Sequence, residues 1–114
     1  EAKQVDGVAA LYHDDVVVWH NFDDAIQSKA ENLKVLTGLT QLVSQLRYEV
    51  VERHVIGNRV VQRHNLHCRM KGNEEIVIPA CIFITVADDR IKRIDEYLDT
   101  AQASRLRSPG RTTH

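Results

Sequence analysis

"YEVVERHVIGNRVVQRHNLHCRM", residues 48–70, is the stretch that decides the fold. Two long runs, 48–56 and 59–70, are rich in β-branched residues and flank Gly57-Asn58, a pair typical of a two-residue β-hairpin turn. Further strand-like runs follow at 75–87 and 90–98, each after a short polar turn. The second half of the chain therefore predicts a four-strand antiparallel meander.

The first half of the chain adds helices. Apolar residues recur at helical spacing over 3–12, and a strand-like run follows at 16–21. Ser28 and Glu31 have the spacing of a capping box, and the leucine-rich stripe after them predicts a long helix down to residue 46. Because a meander with so few helices is incompatible with a parallel α/β fold, we predict an α+β fold: a cone-shaped, curved antiparallel sheet wrapped around the long helix.

The boundaries of this fold follow from the same patterns. Residues 1–107 are predicted to form a single domain, and 108–114, with Pro109 and Gly110, a flexible tail. The chain starts without a methionine and opens partway into a helical pattern. We therefore expect the first helix to be truncated in this sequence.

Composition narrows the classes of partner. The net charge of the 114 residues is −1, so no basic footprint for nucleic acid is present. No apolar run is long enough to span a membrane. Cys68 and Cys81 lie in apolar strand-like runs, which favours reduced, buried thiols and a cytoplasmic protein. The six histidines have no metal-binding spacing, and we expect no metal.

The alternation of side chains along the strands predicts which residues face the inside of the cone. The Gly57-Asn58 turn pairs His64 with Val51 and Leu66 with Glu49, and it puts His64 on the apolar, concave face. Glu96 lies between Ile94 and Leu98 on the inner face of the last strand. We expect its carboxylate to lose hydration, so that its pKa rises toward the range of a general acid or base. On the first strand, Trp19 and Asn21 share one face, and His20 lies on the other.

The order of elements, with "LYHDDVVVWHN" at 11–21 and "DDRIKRIDEYLDT" at 88–100, resembles the nuclear transport factor 2-like superfamily. Within it, the chain looks most like the SnoaL-like group, which includes polyketide cyclases; ketosteroid isomerases and limonene epoxide hydrolases are more distant relatives. The resemblance implies a cystatin-like roll that holds an apolar small molecule inside the cone, without a cofactor. It also implies a homodimer, which we expect to form through the convex sheet face, with Tyr48, Val50, Val61 and Phe83 in the contact.

The resemblance also suggests roles for single residues. In limonene epoxide hydrolases a Tyr and an Asn position the catalytic water, and Trp19 and Asn21 take these places here. Glu96 takes the place of a catalytic Asp, whereas His64 and Leu66 stand where that family has an Arg and a second Asp. Leu66 cannot hydrogen-bond, so the epoxide-opening arrangement is broken. In SnoaL-like cyclases one acidic residue acts as general acid and base, a role that the resemblance gives to Glu96, with His64 and Asn21 as polar partners.

Three functional hypotheses follow. The first is an enzyme of the isomerase or cyclase type, in which Glu96 removes a proton next to a carbonyl and Asn21 or His64 stabilises the enolate. The second is a non-catalytic ligand-binding or dimerisation module, and the third, which ranks last, is an epoxide hydrolase. In all three, the predicted pocket wall consists of Trp19, Tyr12, Leu66, Cys68, Val51, Ile94 and Leu98.

Overall fold

The computed structural model describes residues 2–21, 23 and 25–107. Its elements, in chain order, are α1 Ala2–Leu11, β1 Tyr12–His20, β2 Ile26–Gln27, α2 Lys29–Leu42, β3 Val43–Ile56, β4 Arg59–Met70, β5 Glu75–Ala87, β6 Arg90–Leu98 and α3 Thr100–Arg107. The predicted flexible tail, 108–114, lies outside the described residues.

The six described strands form one curved sheet in the order β2-β1-β6-β5-β4-β3. All neighbouring strands are antiparallel except β1 and β6, which run parallel. Helices α2 and α3 cover the concave face, and α1 packs against α2. The predicted α+β fold, a curved sheet folded around a long helix, is therefore confirmed.

Helix α2 begins where the capping box predicted. The Glu31 backbone N–H donates to Ser28 Oγ at 3.3 Å, and the Ser28 N–H donates to Glu31 Oε1 at 2.8 Å. The helix ends at Leu42, four residues before the predicted end, because Val43 joins β3 and pairs with Met70. The leucine-rich stripe was misleading here, since strand pairing outweighs a helical apolar pattern at this point.

The β3–β4 hairpin has the predicted turn but not the predicted register throughout. Gly57 has a φ of 59°, which glycine adopts without steric cost, and residues 52–56 pair with β4 as expected. A register shift between Val50 and Glu52 then places one extra residue in β3. His64 consequently pairs with Val50 instead of Val51, and Leu66 pairs with Tyr48 instead of Glu49.

This β-bulge exchanges the two faces of the first part of β3. Tyr48 and Val50 share the concave side with their partners on β4, whereas Val51 lies beside convex-face residues such as Arg63 and Tyr97. The predictions that Val51 lines the inner wall, and that Tyr48 and Val50 lie on the convex face, are therefore wrong. A bulge of one residue leaves no signature in an alternating sequence.

Two buried clusters hold the helices to the sheet. One joins α3 to the β3–β5 end through Val43, Cys68, Met70, Ile76, Ile78 and Leu106. The other joins α1 and α2 to β1 and β6 around Tyr12, Val16 and Val18, with Leu33 and Ile94 packed against them. Among the described helices, none has the length and apolar character to cross a membrane.

Candidate functional site

A cavity of about 540 Å³ lies between the concave face of the sheet and helices α2 and α3. Its size is in the range of small-molecule sites. Much of its wall is apolar and comes from α2, the central strands and α3, including Leu36, Leu39, Leu66, Ile78, Leu98 and Leu106. Five polar side chains also line it: His20, Asn32, Tyr48, His64 and Glu96. A few polar groups on an otherwise apolar wall can fix the orientation of a bound molecule.

The closest charged contact of the cavity joins His20 and Glu96. These residues are register partners on the parallel strands β1 and β6, and Nε2 of His20 lies 2.9 Å from Oε1 of Glu96. The side chains of His20 and Glu96 are 10% and 23% exposed. At this distance an N–H on Nε2 donates to the carboxylate, which fixes the position of Glu96 in the wall of an apolar space.

His64 is oriented by a chain of side-chain hydrogen bonds on β3 and β4. Arg53 Nε donates to Gln62 Oε1 at 2.8 Å, which leaves the amide nitrogen of Gln62 3.0 Å from Nδ1 of His64. Because an amide nitrogen only donates, Nδ1 accepts, and the neutral ring carries its proton on Nε2. Burial lowers the pKa of His64, an effect that the Glu96 carboxylate partly opposes. His64 is therefore a neutral N–H donor near neutral pH.

Tyr48 brings a second donor to the same wall. Its ring meets the His64 ring edge to face, with centroids 5.3 Å apart. Loss of hydration, followed by repulsion from the Glu96 carboxylate, raises the pKa of Tyr48 to about 12. The hydroxyl therefore stays protonated at neutral pH and can donate a hydrogen bond to an oxygen that gains negative charge.

Asn32 on α2 is held by a buried hydrogen-bond network. The Tyr12 hydroxyl donates to Asn32 Oδ1 at 2.7 Å, and Asn32 Nδ2 donates to Gln27 Oε1 at 2.9 Å. Burial and the Glu96 carboxylate both raise the pKa of Tyr12. Tyr12 thus supports the wall from behind, in the second core cluster, and is not among the residues that line the cavity.

The structure brings four of the predicted site residues to the cavity: Glu96, His64, Leu66 and Leu98. Glu96 and His64 belong to neighbouring rows of the sheet, in which Gln62, Ile82, Glu96 and His20 are successive register partners, as are His64, Ala80 and Leu98. The small side chain of Ala80, which also lines the cavity, separates the imidazole from the β6 side chains.

Trp19 and Asn21 do not reach the cavity, which corrects the predicted frame of β1. Trp19 pairs with Asp95 and packs its ring against Tyr97 on the convex face, with centroids 5.1 Å apart. The Asn21 side chain is exposed and bonds the backbone of Leu98, with Nδ2 donating at 3.3 Å and Oδ1 accepting at 3.1 Å. Asn21 therefore continues the pairing of two strands where β1 ends.

The remaining predicted wall residues lie elsewhere. Cys68 is fully buried in the first core cluster, where burial raises the pKa of its thiol to about 11. Ile94 packs against the second cluster, and Val51 is on the convex side. Both cysteines are free. Within the described part of the chain, no group of three or more metal-ligating side chains comes together.

His20, Tyr48 and Asn32 are the polar cavity residues that the sequence did not predict. His20 shares its face of β1 with Val16 and Val18, which are both 2% exposed in the structure. The opposite face of β1 also carries apolar residues, so alternation did not single out His20. The competing frame with Trp19 and Asn21 inward rested on the likeness to epoxide hydrolases. The inward position of Tyr48 depends on the bulge. Asn32 is the one polar residue among the α2 residues that line the cavity, which otherwise are Val35, Leu36, Gly38, Leu39 and Leu42.

The sequence matches the model of the SnoaL-like domain family over residues 1–94. With the fold and cavity described above, this match means that the chain belongs to the SnoaL-like domain family. No curated protein sequence matches the chain.

Solved structures with the same fold include proteins of several kinds. A candidate SnoaL-like polyketide cyclase from Shewanella putrefaciens is 14% identical, with a TM-score of 0.77 over 95% of this chain and 87% of its own. A protein with a ketosteroid isomerase-like fold from Catenulispora acidiphila, in complex with trimethylamine, is 10% identical, with a TM-score of 0.75 over 86% and 77%. An LEH-like epoxide hydrolase from M. tuberculosis is 18% identical, with a TM-score of 0.72 over 96% and 80%. At these identities the likeness establishes the fold alone.

Proposed function

We propose that this SnoaL-like domain is an enzyme that removes a proton next to a carbonyl group of an apolar small molecule. The observation that carries the proposal is the His20–Glu96 pair, with 2.9 Å between Nε2 and Oε1, in the wall of a largely apolar cavity that also holds His64 and Tyr48. A carboxylate bonded to an imidazole, with two neutral donors on the wall of the same cavity, has the components of enolisation.

In the proposed reaction, Glu96 takes the proton from the carbon next to the carbonyl. The electron pair of the broken C–H bond forms a C=C bond, and the carbonyl oxygen becomes an enolate oxygen. Nε2–H of His64 and the Tyr48 hydroxyl donate hydrogen bonds to that oxygen. Glu96 then returns the proton to another carbon, which moves a double bond. Alternatively, the enolate carbon adds to a second carbonyl, which closes a ring, and Glu96 gives its proton to the alkoxide oxygen that this addition forms.

The experiment uses a β,γ-unsaturated methyl ketone as probe and follows the ultraviolet absorbance of its conjugated isomer. We expect the parent protein to catalyse this isomerisation and Glu96→Gln to lose it. Asp95→Asn is the matched control, because Asp95 is the next residue on β6, faces the convex side and bonds Arg93. Equal rates for the parent and Glu96→Gln would refute the proposal.

A ligand-binding role without chemistry is the alternative outcome of that experiment, namely that the ketone binds but is not isomerised. Epoxide opening remains the weakest hypothesis. Leu66 lies in the cavity wall and offers no hydrogen bond to an epoxide oxygen or a water molecule.

We also propose that two copies pair through the convex sheet face. Trp19 and Phe83 meet Tyr97 edge to face, with centroids 5.1 and 6.1 Å from its ring, and Tyr97 is 47% exposed. Aromatic residues that remain this exposed are typical of interfaces. Sedimentation is expected to give a dimer for the parent and a monomer for Tyr97→Glu. A monomeric parent at high concentration would contradict this arrangement.

A cytoplasmic location stays a prediction, based on the two free thiols.

A further inference from the structure

A second apolar cavity, of about 300 Å³, lies beside the first, between α1, α2 and the start of β3. From α1 it is lined by Gly7, Val8 and Leu11, which play no part in the proposed reaction. Leu36, Leu39 and Tyr48 line both cavities. The two spaces are therefore neighbours that share a wall of three side chains, and all five polar residues of the main cavity except Tyr48 are absent from the second.

Tyr48 is the side chain of the shared wall that can best open a passage between the two cavities. Tyr48 is 51% exposed, although its ring contacts the His64 ring and the Glu96 carboxylate contributes to the raised pKa of its hydroxyl. A half-exposed ring can shift enough to let a hydrocarbon chain pass beside it without disturbing a packed core. Leu11, which also lines the second cavity, is 57% exposed, so this space reaches the surface.

We propose that the second cavity binds the alkyl arm of an extended substrate whose carbonyl end lies at Glu96 and His64. The ligand class is an aliphatic ketone with a straight hydrocarbon chain, in preference to a compact fused-ring molecule. This inference rests on the proposed function for the position of the carbonyl end. The difference in polarity between the two cavities supports this inference. His20, Asn32, His64 and Glu96 line only the larger cavity, whereas the smaller one is apolar apart from Thr40 and the shared Tyr48.

Two glycines provide variants that fill one cavity at a time. A Cβ atom placed at Gly7 or at Gly38 meets nothing within 4 Å, so both positions open onto empty space. Gly7 lines the second cavity and Gly38 lines the main one. Both lie in helices, where leucine and alanine have higher helix propensity than glycine, so the variants are expected to fold.

The test is calorimetric binding of saturated methyl ketones whose straight alkyl chain grows from hexyl to undecyl. In the parent, affinity is expected to rise about three- to fourfold per methylene across the series. Gly7→Leu is expected to bind the short ketones like the parent and to lose the gain from the longer ones. Gly7→Ala is the control for helix propensity, and Gly38→Leu is expected to weaken all members of the series.

A chain-length dependence that is the same in the parent and in Gly7→Leu would overturn the inference, as would a parent affinity that stops rising at the shortest chains. Failure of the proposed chemistry gives a different result. In that case Glu96→Gln and the parent would isomerise the unsaturated probe equally, while Gly7→Leu would still remove the gain from long chains.

Discussion

Nε2 of His20 lies 2.9 Å from Oε1 of Glu96, and the two residues are register partners on the one parallel strand pair of the described sheet. Parallel pairing sets both side chains on the concave face, so the pair points into the cavity instead of the convex surface. The fold thus holds a carboxylate and an imidazole in contact on two neighbouring strands.

Replacing His20 tests whether it supports Glu96. His20→Leu removes the ring and leaves a partly buried carboxylate without this donor, which costs about 1–3 kcal/mol of unfolding free energy. We expect it to reduce kcat for isomerisation about tenfold or more. His20→Gln keeps an N–H of similar reach and is expected to recover part of both losses. Urea unfolding and steady-state rates check this, and equal rates for all three proteins would contradict a supporting role.

Gln62 is expected to control which nitrogen of His64 carries the proton. Nitrogen chemical shifts of the ring are predicted to show the Nε2–H form in the parent. Gln62→Glu offers Nδ1 a carboxylate acceptor instead of a donor, so the proton moves to Nδ1 and isomerisation slows. Gln62→Leu, which removes the partner without replacing it, is the control. An unchanged tautomer in Gln62→Glu would refute the assignment.

The pKa of His64 is expected to lie below its ordinary value of 6.5 and to report on Glu96. Because the Glu96 carboxylate raises this pKa, Glu96→Gln should lower it further, whereas Asp95→Asn on the convex face should leave it unchanged. Since protonation is disfavoured in the folded state, the contribution of His64 to stability is complete above pH 6.5 and decreases as the pH falls through the folded pKa. Proton NMR titration of the ring measures the pKa of His64. The same His64 pKa in the parent and in Glu96→Gln would mean that the two side chains are too far apart to act on one substrate.

Tyr48→Phe removes the hydroxyl and keeps the ring. We expect kcat to fall about tenfold to a hundredfold, because one of two donors to the enolate oxygen is lost while His64 remains. The raised pKa of Tyr48 also determines how the stability of the protein depends on pH in the alkaline range. The folded state keeps its proton up to pH of about 12, so stability decreases as the pH rises from 10 towards 12, and Tyr48→Phe should lose less stability over that interval. An identical loss in both proteins would mean that Tyr48 titrates as a fully hydrated phenol.

Periodicity was sufficient for the meander, the long helix and the inward position of Glu96, because each depends on side-chain alternation over many residues. Periodicity failed where a single residue decides which face of the sheet the neighbouring side chains occupy. The bulge in β3 moved Tyr48 inward and Val51 outward. On β1, both faces carry apolar residues, so alternation alone did not distinguish His20 from Trp19 as the inward residue. Contacts between distant strands, such as β1 with β6, decided the composition of the site.

The most direct test of the proposed chemistry is proton exchange next to a carbonyl. A saturated methyl ketone is incubated in deuterated water with the parent, Glu96→Gln or Asp95→Asn, and deuterium at the adjacent carbon is followed by NMR. We predict that the parent and Asp95→Asn catalyse exchange and that Glu96→Gln is slower by about a hundredfold or more, with binding of the ketone unchanged. Exchange by Glu96→Gln at the rate of the parent would contradict the assignment of Glu96 as the base.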